Sequence, residues 1–173
     1  MKTLRRCVLT VCLPLICAAP AAAQLVPPPA HEVDLSGPRF GITALDSGVV
    51  ETLRVDDGIE VGHAISQFGW QFEKQFYAKD SNFTMVTEWV GLVGGLEQGV
   101  ALPSLSWLVG LRSRDGAEFG LGPNITPAGT ALVLATGMTF RSGALNIPLN
   151  VAVVPSRSGT RVTLLAGFSL RRQ

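Results

Sequence analysis

The stretch QFGWQFEKQFY, residues 67–77, alternates with a period of two. Phe68, Trp70, Phe72 and Phe76 fall on one side, and Gln67, Gly69, Gln71, Glu73 and Gln75 on the other. That period belongs to a β-strand, whose successive side chains point to opposite faces. Two opposite objects fit it. A soluble barrel holds its apolar side chains inside and shows polar ones to water. An outer-membrane barrel does the reverse. The character of the less apolar face decides between them, and that face has to be followed along the whole chain.

Short alternating runs separated by turn residues continue in both directions, an all-β signature. The expected strands are 39–45, 64–78, 84–95, 103–113, 117–123, 129–141, 145–154 and 161–171. In the eighth, Val162, Leu164, Ala166, Phe168 and Leu170 oppose Arg161, Thr163, Leu165, Gly167, Ser169 and Arg171. In the sixth, Leu132, Leu134, Met138 and Phe140 oppose Gly129, Ala131, Val133, Ala135, Gly137 and Thr139. Trp107 in the fourth and Phe119 in the fifth continue the bulky face. The connections KDSN, RDG and RSG are short, and the last two call for Gly at positive φ. Longer connections are expected at 46–63, around LEQG, at NITPA and at PSRSGT. The segment 46–63 fits either a short helix or an extended hairpin. Residues 89–111 are apolar and long enough to span a bilayer as a helix, but Gly94, Gly95, Glu97 and Pro103 interrupt them and favour a hairpin.

The second face is mostly Gly, Ala, Ser and Thr with scattered ions. A water-facing surface carries many Lys and Glu instead. Charged residues are 16% of the chain, against about 25% in a soluble domain. Small residues with a few ions suit the cramped lumen of an eight-stranded barrel. Hydrocarbon offers no partner to a bare N–H or C=O, so a spanning sheet must close on itself. The expected fold is therefore all-β, a closed eight-stranded antiparallel up-and-down transmembrane barrel. Phe68, Trp70, Phe72, Phe76, Trp107, Phe119, Phe140 and Phe168 would face lipid. Lys74 falls on that same side, near the 79–82 turn, where it can snorkel to headgroups.

The ends read as processing signals. Lys2, Arg5 and Arg6 precede an apolar run from Cys7 to about Ala19, and Ala21–Ala23 offer a cleavage site, so residues 1–23 are expected to be an export signal peptide. Residues 24–38, with Pro27–Pro29 and Pro38, are expected to form a Pro-rich leader, and 39–173 the barrel domain. All three cysteines lie in the signal segment, which leaves no disulfide or thiolate metal site for the exported chain. Loss of residues 1–23 removes three bases and no acid, so 11 bases stand against 13 acids. That balance gives no basic face for nucleic acid. The expected partner is the lipid bilayer.

With these features the chain resembles the small eight-stranded outer-membrane barrel proteins of bacteria over residues 39–171. The resemblance is architectural: an exported, cysteine-free chain, eight alternating strands and a small-polar lumen. It implies residence in the outer membrane, with both termini and the short turns towards the periplasm and the longer loops outside. The chain departs from that pattern at its end, because such barrels commonly finish on an aromatic residue and here Phe168 is followed by SLRRQ.

The inward phase collects Glu73, Glu88 and Glu118 with Arg112, Arg141 and Arg161, an expected lumen ion-pair network that fills and rigidifies the barrel, since charges buried away from water must pair. Catalysis has a thin basis. His63 lies three residues from both Glu60 and Ser66, but strand positions 63 and 66 point to opposite faces, and a nucleophile needs its base within hydrogen-bond reach. No catalytic residue, metal site or cofactor is assigned. The reading is a non-enzymatic outer-membrane barrel with a plugged or very narrow lumen, serving envelope structure, adhesion or passage of very small solutes. The alternatives are a secreted or periplasmic soluble barrel holding an apolar ligand, which needs the aromatics inward, and an outer-membrane lipid-modifying hydrolase.

Overall fold

The structure, a computed structural model, describes residues 34–78 and 83–170. Eight strands follow one another round a closed antiparallel barrel: β1 (Gly37–Leu45), β2 (Ala64–Ala78), β3 (Phe83–Gly94), β4 (Leu102–Ser113), β5 (Ala117–Thr126), β6 (Gly129–Ser142), β7 (Leu145–Ser156) and β8 (Gly159–Gly167). Each pairs with its successor, and β8 closes on β1 with Leu45 opposite Arg161 and Arg39 opposite Gly167. A two-residue strand, β9 (Ser169–Leu170), carries the last strand past Phe168 and pairs with the start of β7. The proposed signal peptide and most of the leader, residues 1–33, lie outside the described residues, as does the 79–82 turn. The apolar segment 89–111 is the β3–β4 hairpin, and no described helix is long and apolar enough to cross a membrane.

Strand edges differ from expectation mainly where turns were read too long. NITPA and PSRSGT shrink to two-residue connections, 127–128 and 157–158, because β5, β6, β7 and β8 run on to meet them. Thr126 and Ser156 close these hairpins by side-chain hydrogen bonds to the carbonyls of Gly129 (3.1 Å) and Gly159 (2.7 Å). At the other end RDG turns as expected, with Gly116 at φ 90°, while β6 takes up Arg141 and Ser142 of RSG and leaves the turn to 143–144, with Gly143 at φ 59°.

The barrel thus has a turn end and a loop end, and the 46–63 segment resolves the loop end as helix α1 (Ser47–Asp56). Asp46 caps it by accepting from the Gly48 N–H at 3.1 Å, which satisfies one of the free amides of the first turn. Gly58, at φ 65°, stops it, with the Ile59 N–H returning to the Leu53 carbonyl at 2.9 Å. Val49 and Leu53, four apart and on one face, are buried against Leu45, Ile65 and Leu102. Gly48 lets the first turn lie against the Ser158 carbonyl, where a Cβ would collide. The helix thereby roofs the lumen.

The second loop-end connection, 95–101, is fastened to β2 through Glu97, which accepts from the Ser66 N–H at 2.8 Å and from the Ser66 hydroxyl. These bonds, the hydroxyl first, hold the exposed Glu97 carboxyl below its usual range. A lowered carboxyl stabilises the fold above the ordinary carboxylate range and loses that effect as pH falls through its own lowered pKa. Hydrogen-exchange protection of the Ser66 amide should fall over that acidic window, and Glu97→Gln should remove the pH dependence. A pH-independent Ser66 amide would show that the clasp is not ionic.

Candidate functional site: the barrel wall and its charged lumen

The outward face is a girdle of large apolar side chains. Phe40 and Ile42 on β1, Phe68, Trp70, Phe72 and Phe76 on β2, and Trp89 on β3 are all exposed, as are Trp107, Phe119, Phe140 and Phe168 further round. Trp70 is 47% and Phe72 62% exposed. Some pair across the surface: Trp89 stacks on Trp107 with centroids 5.8 Å apart, and Phe40 on Phe168 at 6.5 Å. An uncovered apolar belt of this extent in water would be an association surface. The aromatics do not point into a central cavity, which is what the soluble alternative requires.

Inside, the lumen is layered. Towards the turn end, β2, β3, β4 and β5 aim Glu73, Glu88, Arg112 and Glu118 at one another. The register explains the meeting: Glu73 lies opposite Glu88, and Arg112 opposite Glu118. The Arg112 guanidinium holds both oxygens of Glu73, with Nη1 to Oε1 at 2.6 Å, and donates to Glu118 from Nε at 2.9 Å and Nη2 at 2.8 Å. Glu88 stands 3.6 Å from the same guanidinium. This fork-shaped, charge-assisted arrangement is the strong form of an ion pair. Towards the loop end, Val90, Leu92, Leu108, Val133, Val154 and Leu165 form an apolar layer, and the α1 cluster lies beyond it.

Arg39 is a member of this lumen that the sequence reading did not single out. It is fully buried, donating from Nε to Gln71 Oε1 at 2.9 Å and from Nη2 to the Leu35 carbonyl at 2.6 Å. The alternation of Phe40 and Ile42 already placed it inward. It opens the expected first strand, and what the sequence does not show is its partner: Gly37 and Pro38 leave the expected leader to join β1, and buried Leu35 just before them offers Arg39 its carbonyl.

Arg161 belongs elsewhere than expected. It is inward and buried, but its Nη1 donates to Thr126 Oγ1 and its Nη2 to Asn124 Oδ1 at 3.0 Å, two residues inside the loop end of β8. Alternation assigns a face, not a height along the barrel, so residues of one phase can lie in different layers. Arg141 lies on the inward side of β6 near the turn end, opposite Asn146. The hydrolase constellation does not assemble. His63 Nδ1 meets the Leu45 carbonyl at 3.1 Å, while the Ser66 hydroxyl is taken by Glu97.

Neither a comparison with protein-family profiles nor one with curated protein sequences finds a match. Among solved structures, the chain is similar to Ail, the attachment invasion locus protein of Yersinia pestis, at 13% identity, covering 80% of this chain and 99% of that one with a TM-score of 0.50. The structure of Ail with the heparin analogue sucrose octasulfate aligns over the same shares at 12% identity and a TM-score of 0.31. At such identity the likeness is one of fold: the chain is a closed eight-stranded antiparallel β-barrel of the outer-membrane type.

Proposed function

We propose that the chain is a non-enzymatic integral protein of the bacterial outer membrane, exported by its N-terminal segment, with a closed lumen and an envelope-structural role. One observation carries this reading: the strands turn their aromatic side chains outward while Glu73, Glu88, Glu118 and Arg112 meet inside. Lipid solvates the first set, and the Arg112 cluster neutralises much of the second. Passage of solutes is disfavoured by the layers across the lumen, ionic at one end and apolar beneath α1 at the other. Adhesion has little surface to use, since two of the four loop-end connections are two residues long. The α1 face bearing Glu51 and Arg54 is the largest feature there.

Single cysteines at 70 and 71 test the placement, the native cysteines being confined to residues 1–23. In bilayers, the cysteine of Trp70→Cys should react with a lipid-soluble thiol reagent. The cysteine of Gln71→Cys, on a buried lumen position, should be refractory to it. The reverse pattern would remove the membrane assignment.

A further inference from the structure

Between the ionic floor and the α1 roof the lumen keeps a cavity of about 90 Å³, room for roughly six to nine water-sized groups at about 10–15 Å³ each. Its walls are chiefly the apolar layer of Val90, Leu92, Leu108, Val133, Val154 and Leu165, with Val49 and Leu53 of α1 above. Arg161 also lines it. That guanidinium is only 6% exposed, its two bonded partners are the neutral Thr126 and Asn124, and its Nε has no acceptor. No carboxylate lies within ion-pair distance of it among the described residues. Arg112, by contrast, has three carboxylates around it.

A buried cation without a counter-ion is costly, and here it borders an apolar chamber near the loop end. We propose that this chamber is a binding site for a short-chain aliphatic monocarboxylate, its head on Arg161 and its tail on the apolar layer. Three features set the class. The guanidinium selects a planar carboxylate that can take its unused Nε–H. The walls select an aliphatic tail of a few carbons. The far end of the chamber carries Glu88 and Glu118, which repel a second negative charge and so exclude dicarboxylates. Glu88 Oε1 and Asn150 Oδ1, both on the chamber and both without a hydrogen-bond partner, suit a water beyond the tail.

The test titrates the full-length folded protein in an uncharged detergent with acetate, butanoate, succinate, butylamine and inorganic phosphate, following binding by calorimetry. Butanoate should bind saturably at one site and roughly tenfold or more tighter than acetate, as two added methylenes require. Succinate, butylamine and phosphate should bind at least tenfold more weakly than butanoate. Arg161→Gln should cost at least tenfold in butanoate affinity. Ala152→Leu, which fills the chamber and leaves the guanidinium in place, should do the same. The proposal is overturned by the absence of saturable butanoate binding, by equal affinity for acetate and butanoate, by butylamine or phosphate binding as well as butanoate, or by a folded Ala152→Leu protein that binds unchanged. Should Arg161→Gln not fold, Ala152→Leu and the ligand series decide. Because only folded barrel is titrated, failure here leaves the membrane placement standing.

Discussion

Arg112→Ala should lower the stability of the folded barrel by about 3–5 kcal/mol, the range for removing one partner of a buried ion pair. The loss follows from how many groups one guanidinium serves. Glu73 and Glu118 accept from it directly and Glu88 lies 3.6 Å away. All three carboxylates sit inside the wall, with Arg39 the nearby cation and its guanidinium engaged by Gln71 and backbone carbonyls. Arg112→Lys keeps the charge but not the fork, and should recover only part of the loss. Replacing Arg112 by Met together with Glu73 and Glu118 by Gln should cost less than Arg112→Ala, because two of the stranded carboxylates go as well while Glu88 remains to balance the buried Arg39. Urea unfolding in detergent, followed by tryptophan fluorescence, measures all three. A loss below about 1 kcal/mol for Arg112→Ala would mean that water reaches the cluster and screens it.

Trp70→Arg should destabilise the bilayer-inserted protein by about 2–4 kcal/mol, the cost of a cation at mid-bilayer on the lipid face of a barrel. Trp70 is near the middle of β2, between Pro38 on β1 and Gly91 on β3. Lys74, on the same face, provides the internal contrast. Four residues at about 3.4 Å each along a strand tilted about 45° place it roughly 10 Å nearer the turn end. That is close to the edge of an apolar band about 25 Å tall, and its flexible stem can carry the ammonium to the headgroups. Lys74→Met should therefore change stability by less than about 1 kcal/mol. Folding equilibria in vesicles provide both numbers. A Trp70→Arg protein as stable in vesicles as the parent would show that this face does not meet hydrocarbon.

Much of this was legible in the residues. β2 spans the expected 64–78, and the eight outward aromatics named from periodicity lie on the exposed face. The reason is local. Side-chain direction in a strand reverses at every residue, so a run of ten or more specifies its own two faces. Glycines in RDG and RSG marked their turns because positive φ is almost closed to other residues. The two-residue turns at 127–128 and 157–158 were less visible, since Pro, Ser and Thr suit a longer loop equally well. The helix at 47–56 stayed ambiguous because its buried apolar pair, Val49 and Leu53, gains a core only from Leu45, Ile65 and Leu102 on three strands.

What the sequence by itself determined is the two-sidedness of each strand, the even strand count and the hydrocarbon-compatible face, all of which are properties of neighbouring residues. What only the tertiary structure decided is height within the barrel. Arg112, Arg141 and Arg161 share a phase, yet Arg112 meets three glutamates while Arg161 meets Thr126 and Asn124 in another layer. Strand tilt and register set those heights, and they arise only when the sheet closes, from pairings between segments up to a whole barrel apart in the chain.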